Sequence, residues 1–207
     1  MITSKHPFEP FIPAHANRLI IGTIPPPRFC EQENFIVDDE SDSDVNFYYG
    51  SRDNYFWPIV GDVFNHVFDY KKLKSSIDQR KTFLEEYGIG ITDIVDSCVR
   101  INNSALDKDI SNPKYKDVKG LLRDHDSIEV LVYTSEHVKK LMNNYLGPKA
   151  FHTCPDRKND GKRQAVIIDG KKYEVRILYS PSGRGLAGMG EGGKVRRREQ
   201  YHDFLSK

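Results

Sequence analysis

The chain has 207 residues, of which 38% are hydrophobic and 29% charged, and its formal net charge is only +1. This length fits a single domain over residues 1–207, and no apolar run approaches the roughly 18 residues that a membrane span needs. The N-terminus lacks a signal-peptide pattern and the three cysteines (Cys30, Cys98 and Cys154) are scattered, so we expect a cytoplasmic protein with reduced thiols and no iron–sulfur cluster.

The first clear element is an apolar run at residues 18–24, RLIIGTI, which three consecutive prolines follow at 25–27. The run predicts a buried strand, and the prolines predict a loop that does not become a helix. The acidic stretch DDESDSD at 38–44 belongs to a segment that we expect to lack regular structure up to about Val45.

Helical and strand-like patterns then alternate along the chain. Residues 56–68 carry apolar side chains at helical spacing, with Asn54 just ahead as an N-cap candidate, and residues 75–87 predict a second helix that ends at Gly88. The later predicted elements are strands at 89–95 and 128–134, a helix that begins at Ser135, a hairpin of 165–168 and 173–179 around Asp169-Gly170, and a final helix at 194–205.

This alternation predicts an α/β fold, namely a three-layer α/β/α sandwich with a short, mostly parallel central sheet. In such sheets, ligand sites form beyond the carboxyl ends of the strands. A site is therefore expected in the segments that follow the predicted strands, at 22–28, 92–98, 134–137 and 179–186.

Several other kinds of site find little support in the sequence. The seven histidines form no HExxH motif or other tight ligand pair. The glycine-rich segment 183–193 has neither the Gly-Lys-Ser/Thr of a Walker motif nor a GxGxxG that opens a helix. We therefore expect no metal and no cofactor.

The segment FYYGSRDNYFW at 47–57 combines aromatic with polar residues. Phe56 and Trp57 are expected in the core, whereas Tyr48 and Tyr49 lie in a polar loop that we expect at the surface. Exposed aromatic side chains beside polar groups are what the stacking of nucleic-acid bases requires. A tyrosine that only covers the edge of the sheet fits the same pattern.

Four segments, in order, resemble motifs of the uracil-DNA glycosylase superfamily, above all its mismatch-specific and hypoxanthine-type branches. They are IGTIPPP at 21–27, YYGSRDNYFW at 48–57, YGIGITDIVDSC at 87–98 and LYSPSGRGL at 178–186. The resemblance implies a monofunctional DNA repair enzyme that flips a deaminated or mismatched base (uracil, hypoxanthine or mismatched thymine) out of DNA and hydrolyses its N-glycosidic bond without a metal. We expect it to act as a monomer and away from membranes.

The resemblance also assigns residues to the binding of substrate. Tyr49 stacks the base, while the backbone of Gly22, Thr23 and Ile24 and the side chain of Ser180 contact its polar edge. The segment at 178–186 is expected to contact DNA through Ser182, Gly183, Arg184 and Leu186, with Arg184 and Leu186 as the candidates that fill the gap left by the flipped nucleotide. Arg196 and Arg197 are expected to contact DNA phosphates for a different reason, because their basic run follows this segment in the sequence. The basic run at 194–198 also fits a solvated helix face.

Two residues are alternatives for the group that handles the attacking water. In the mismatch-specific branch an asparagine of the first motif orients the water, but Ile24 stands at that position here. Asn54 matches the asparagine that is implicated in the hypoxanthine-type branch, and it also fits a helix cap. Asp93, at the end of a predicted strand, is the alternative as a base or electrostatic stabiliser, and it fits a turn residue as well.

Two other functions remain open at this point. One is a catalytically weak or inactive module that binds lesions or nucleic acid with the same fold, which Ile24 favours. The other is a hydrolase of free nucleosides or nucleotides. Single-turnover assays on lesion-bearing DNA test the first, and competition by long undamaged DNA tests the second.

Overall fold

A computed structural model of the chain describes residues 2–30, 42–147, 150–152 and 163–206. Cys154 and residues 38–41 of the acidic stretch therefore lie outside the described residues. Within these ranges the strands are β1 (Ile2–Lys5), β2 (Arg18–Gly22), β3 (Ile89–Asp93), β4 (Val95–Arg100), β5 (Ile110–Tyr115), β6 (Val130–Tyr133), β7 (Phe151–His152), β8 (Arg163–Ile168) and β9 (Lys171–Ile177). The helices are α1 (Pro27–Cys30), α2 (Phe56–Phe64), α3 (Lys74–Glu86), α4 (Val118–Asp124), α5 (Glu136–Leu146), α6 (Gly183–Ala187) and α7 (Gly193–Leu205).

The larger sheet has six described strands in the spatial order β3-β2-β6-β9-β8-β7. The first four run parallel to one another, whereas β8 and β7 are antiparallel to their neighbours. The predicted α/β fold is confirmed, but the prediction of a mostly parallel sheet needs correction because this sheet is mixed. The antiparallel part begins at the predicted hairpin, where Asp169 and Gly170 have φ angles of 48° and 85°, as tight hairpin turns require.

The sequence did not predict the second sheet, an antiparallel arrangement of β1, β4 and β5. The predicted strand at 89–95 was too long, because the chain leaves the central sheet after Asp93 and Val95 begins β4. The N–H groups of Ile94 and Val95 donate to the carbonyls of Gly22 and Thr23, at 2.9 and 3.0 Å. These hydrogen bonds hold the junction between β3 and β4 against the end of β2.

Helices cover both faces of the central sheet, as the alternating side chains of β2 illustrate. Leu19 and Ile21 pack in a core cluster with side chains of α4 and α5. Ile20, which lies between them, packs in a second cluster with side chains of α2, α3 and α7. Because successive side chains of a strand point to opposite faces, β2 needs apolar residues at each of these positions.

Most predicted helices are present with shifted ends. Ser135 caps α5 by accepting the N–H of Val138, and the left-handed Gly88 (φ 62°) follows the end of α3. The helix predicted at 56–68 ends at Phe64, because Asn65 turns into the left-handed region. The prolines do not exclude a helix either, since α1 begins at Pro27; proline suits the first position of a helix, where no N–H partner is needed. None of the described helices has the length and apolar character to span a membrane.

Candidate active site

A cavity of about 230 Å³ lies beyond the carboxyl ends of the parallel strands β2, β3, β6 and β9. All four segments named from the sequence contribute to its wall, together with the aromatic segment that precedes α2. The lining residues are Thr23, Ile24, Pro25, Pro26, Phe29, Phe47, Tyr49, Gly50, Ser51, Asn54, Asp93, Ala105, Leu106, Asp107, Thr134, Ser135, Ser180, Pro181, Ser182 and Arg184. The cavity thus brings together residues from every part of the sequence that was expected to carry chemistry.

Tyr49 forms an aromatic wall of the cavity. Its ring stacks on Phe56 with centroids 4.6 Å apart, and its hydroxyl donates to Thr134 Oγ1 at 3.0 Å. Burial, with a contribution from the charge of Asp93, raises the pKa of Tyr49 well above its ordinary value, so the phenol keeps its proton. Tyr48 was expected at the surface, but it is only 1% exposed because its ring packs in the core beside Phe47.

Gly22 lies at the end of β2, directly beneath the wall. A Cβ atom at this position would lie 2.1 Å from both Asp93 Oδ1 and the Tyr49 hydroxyl oxygen. Glycine therefore allows these two polar groups to approach the same point. Gly22 itself is not one of the lining residues, whereas Thr23 and Ile24, which follow it, are.

Asp93 reaches the cavity from the end of β3 although it is only 4% exposed. Its Oδ2 atom lies 2.8 Å from His6 Nε2, and the His6 side chain is fully buried. No local pattern pointed to this partner, because His6 follows β1, a strand that was not predicted, and lies 87 residues away. Asp93 is therefore a buried carboxylate with an oriented partner.

Asn54 lines the same cavity, and its side chain also supports the start of α2. Its Oδ1 atom accepts the N–H of Phe56 at 2.9 Å, although the N-cap position itself is occupied by Tyr55. The backbone of Asn54 forms a β-bridge with Ser182. Asn54 thus links α2 to the loop between β9 and α6 (residues 178–182, the Pro-Ser loop), and its side-chain oxygen already accepts a hydrogen bond within a local turn.

Asp107 is a second carboxyl in the wall, and the sequence did not single it out. It lies in a 3₁₀ turn ahead of β5, in the part of the chain that forms the unpredicted sheet. Burial raises the pKa of Asp107, and the charge of Asp93 acts in the same direction, while His137 and Arg100 oppose the shift. The protonated form of Asp107 is therefore favoured relative to an exposed aspartate.

The loop after β9 is held by hydrogen bonds within the protein. Ser180 Oγ bonds to Ser182 Oγ at 3.1 Å, and Arg197 donates to the carbonyls of Ser180 and Ser182 at 3.2 and 3.4 Å. Arg197 was expected to contact DNA, but it is only 4% exposed because it lies beneath this loop. Its position makes it a support of the loop.

The other residues expected to contact DNA lie near the same loop. Arg184 is exposed and lines the cavity, and it follows Gly183 at the start of α6. Arg196 is exposed on α7 and donates to the backbone carbonyls of Glu191, at 3.0 Å, and Met189. Leu186 belongs to α6, but its side chain lies outside the described part of the structure.

The amino end of α5 meets the cavity at Thr134 and Ser135. The N-terminus of a helix carries partial positive charge, which stabilises negative charge close to that end. Across the described residues there is no group of three or more His, Cys, Asp or Glu side chains that is arranged to hold a metal ion. The site thus offers an aromatic wall, a buried carboxylate and the backbone N–H groups at the start of a helix.

No protein-family model and no curated protein matches the chain. Among solved structures, the chain is similar to the solution NMR structure of a "putative Uracil DNA glycosylase" from Methanosarcina acetivorans, with a TM-score of 0.60 and 16% sequence identity. The match covers 98% of this chain and 99% of that chain. The two proteins therefore share one fold over nearly their whole lengths.

Proposed function

We propose that the cavity receives a single base flipped out of DNA and that the protein hydrolyses its N-glycosidic bond. The observation that carries this proposal is the meeting of Tyr49, Asp93 and the amino end of α5 in one cavity. Its volume of about 230 Å³ lies below the roughly 300–1,000 Å³ of sites for drug-sized ligands, which suits one base better than a larger ligand. The fold shared with the protein from Methanosarcina acetivorans supports the same class of activity.

The chemistry of glycosidic hydrolysis explains the types of residue in the cavity. As the bond between C1′ and the base nitrogen breaks, positive charge develops on the sugar and negative charge on the leaving base. The Asp93 carboxylate is positioned to stabilise the first or to take a proton from the attacking water. The amino end of α5 is positioned to stabilise the second, whereas the Ser180 hydroxyl already donates to Ser182 Oγ. The water adds hydroxide to C1′, and its proton goes to the base.

Asn54 and Asp93 are the two candidates for the group that handles the attacking water, and the contacts favour Asp93. The Asn54 side-chain oxygen already accepts the N–H of Phe56, whereas the Asp93 carboxylate contacts His6 through Oδ2 and has Oδ1 beside Gly22. A group that takes a proton or faces a cationic sugar needs a free lone pair and negative charge. We therefore propose that Asp93 handles the attacking water. Asn54 is assigned a positioning role between α2 and the Pro-Ser loop.

The base released is best identified with a panel of oligonucleotides that carry uracil, hypoxanthine, xanthine or a G·T mismatch. Alkaline treatment should cleave the strand at the abasic product of at least one substrate, in the presence of EDTA as in its absence. Activity that EDTA abolishes and a divalent ion restores would contradict the metal-free mechanism. Binding of a lesion without cleavage in single-turnover conditions would instead identify an inactive lesion-binding module.

Competition by polymeric DNA distinguishes this proposal from the alternative, a hydrolase of free nucleosides or nucleotides. The exposed Arg184 beside the cavity and the basic start of α7 favour a substrate with flanking phosphates. Long undamaged DNA should therefore compete with the substrate, and more weakly as salt rises. Release of base from free nucleosides that such DNA does not inhibit would support the alternative.

Truncating Tyr49 should weaken the capture of the lesion. Loss of a base–aromatic stack costs about 1–3 kcal/mol, so Tyr49→Ala should bind lesion-bearing DNA roughly 5-fold to 150-fold more weakly in a titration. Tyr49→Phe is the matched control, because it keeps the ring against Phe56 and loses only the hydroxyl that donates to Thr134. If both variants lost the same affinity, the loss would come from the missing hydroxyl group and not from the missing base–aromatic stack.

Neutralising the exposed positive charges at the start of α7 should weaken DNA binding in a way that depends on salt. Lys194 and Arg196 are exposed close to the Pro-Ser loop, so the double variant Lys194→Gln/Arg196→Gln should lower the slope of log K against log[salt] by up to about two units. The matched control is Arg123→Gln/Lys172→Gln, which removes two exposed charges near the hairpin turn, at the opposite end of the central sheet. If both variants keep the wild-type slope, the run is a solvated helix face.

A further inference from the structure

A chain of polar contacts, which is buried at the His6–Asp93 pair and partly buried at Lys116, connects the cavity with the second sheet. His6, which follows β1, places Nε2 2.8 Å from Asp93 Oδ2. On the other side of the ring, Nδ1 lies 3.1 Å from Lys116 Nζ and 3.1 Å from the backbone nitrogen of Phe8. The contacts thus run from Lys116, directly after β5, through His6 to the carboxylate in the cavity.

These contacts define which ring nitrogen of His6 carries the proton. A backbone N–H can only donate, and an ammonium group can only donate. Because Phe8 and Lys116 both direct donors at Nδ1, that nitrogen must accept, and the ring proton lies on Nε2. His6 therefore donates from Nε2 to Asp93 as a neutral ring with a fixed tautomer.

A neutral donor affects Asp93 differently from a cation in the same place. It fixes the orientation of the carboxylate through Oδ2 but does not cancel its negative charge, which stays available to the substrate. The other oxygen, Oδ1, is left beside Gly22 and the Tyr49 hydroxyl. Lys116 also donates to the carbonyl of Phe8 at 2.9 Å, and burial lowers its pKa. That ammonium is itself held in place on the side of His6 away from the cavity.

We propose that His6 is a positioning residue for hydrolysis of the glycosidic bond, which orients the Asp93 carboxylate towards the water, and that Lys116 and Phe8 select the tautomer of His6 that does so. This proposal rests on the proposed function, since it assigns a partner to the group that handles the water. His6 directly follows β1, so the second sheet places this histidine beside Asp93 of the central sheet.

The ring of His6 also packs against Tyr48 and Phe8, with centroids 5.5 and 5.8 Å away. A purely structural role would therefore depend on the volume of the ring, and an orienting role on the donor at the Nε2 position. His6→Leu keeps apolar volume and removes the donor. His6→Gln supplies an amide N–H near the same position. The two variants thus separate the alternatives.

The test is a single-turnover excision assay on the full chain, together with binding of the same lesion-bearing oligonucleotide. His6→Leu should cleave about 100-fold more slowly with unchanged affinity for DNA, as expected for loss of effective acid–base chemistry, and His6→Gln should recover at least about one tenth of the wild-type rate. If His6→Leu cleaves at the wild-type rate, or if both variants lose activity equally, His6 does not act through its donor and the proposal is overturned.

A spectroscopic measurement separates failure of this proposal from failure of the proposed function. In ¹⁵N-histidine spectra of the full chain, the signal that disappears in His6→Gln should have the Nε2–H pattern at neutral pH. A proton on Nδ1 would overturn the proposal for His6, whatever the activity. Wild-type protein that releases no base from any oligonucleotide would overturn the proposed function, and the tautomer would then show whether the contacts of His6 are as described.

Discussion

Asp93→Asn should slow base release by about 100-fold to 1,000-fold and leave the binding of lesion-bearing DNA nearly unchanged. Asparagine has the shape of aspartate, but it carries no charge to stabilise a cationic sugar and accepts no proton from water. Removal of one group that stabilises charge in a transition state typically has an effect of this size. The measurement is single-turnover excision with saturating enzyme, which separates the rate of the chemical step from affinity.

Asn54→Ala is the informative comparison, because Asn54 lines the same cavity. Its loss should leave the Phe56 N–H without its side-chain acceptor, at a cost of about 1 kcal/mol in the free energy of unfolding, as for other helix-start residues. Excision should fall much less than in Asp93→Asn. The opposite result, with Asn54→Ala nearly inactive and Asp93→Asn nearly normal, would show that Asn54 handles the attacking water and would contradict the assignment to Asp93.

Local signals in the sequence were sufficient where a single residue type decides the geometry. The Asp169-Gly170 turn indicated the hairpin of β8 and β9, and Ser135 marked the start of α5. The segments that follow β2, β3, β6 and β9 meet because the carboxyl ends of parallel strands lie at one edge of a sheet. This part of the site could therefore be predicted without knowing how the helices pack.

The parts that were missed depend on contacts between distant segments. The strands β1, β4 and β5 carry mixed polar and apolar residues, so neither His6 nor Asp107 has a local pattern that points to the cavity. Arg197 was misread for a different reason. It belongs to a basic run, but it also lies four residues before Tyr201 and eight before Leu205, which are buried on the same face of α7. Helical spacing would have indicated its burial.

Gly22→Ala should abolish most of the excision activity, with a loss of at least about 100-fold. The added Cβ would lie 2.1 Å from Asp93 Oδ1 and from the Tyr49 hydroxyl oxygen, which is closer than any non-bonded contact allows. One or both of these groups must move, and both line the cavity. Overpacking of a buried position typically costs about 1–3 kcal/mol, so the variant should fold but unfold at a lower denaturant concentration.

Gly90→Ala is the control that separates a local displacement from a general loss of stability. Gly90 lies beside Leu19 in the neighbouring strand, and a Cβ there would meet only apolar atoms, at 3.1 Å from Leu19 and 3.2 Å from Ile12. Small movements of these side chains relieve that contact without reaching Asp93. Gly90→Ala should therefore lose some stability and keep its excision rate. If both alanine variants lost activity in proportion to their stability, the effect at Gly22 would be global, and the close approach of Asp93 and Tyr49 would have no special role in the reaction.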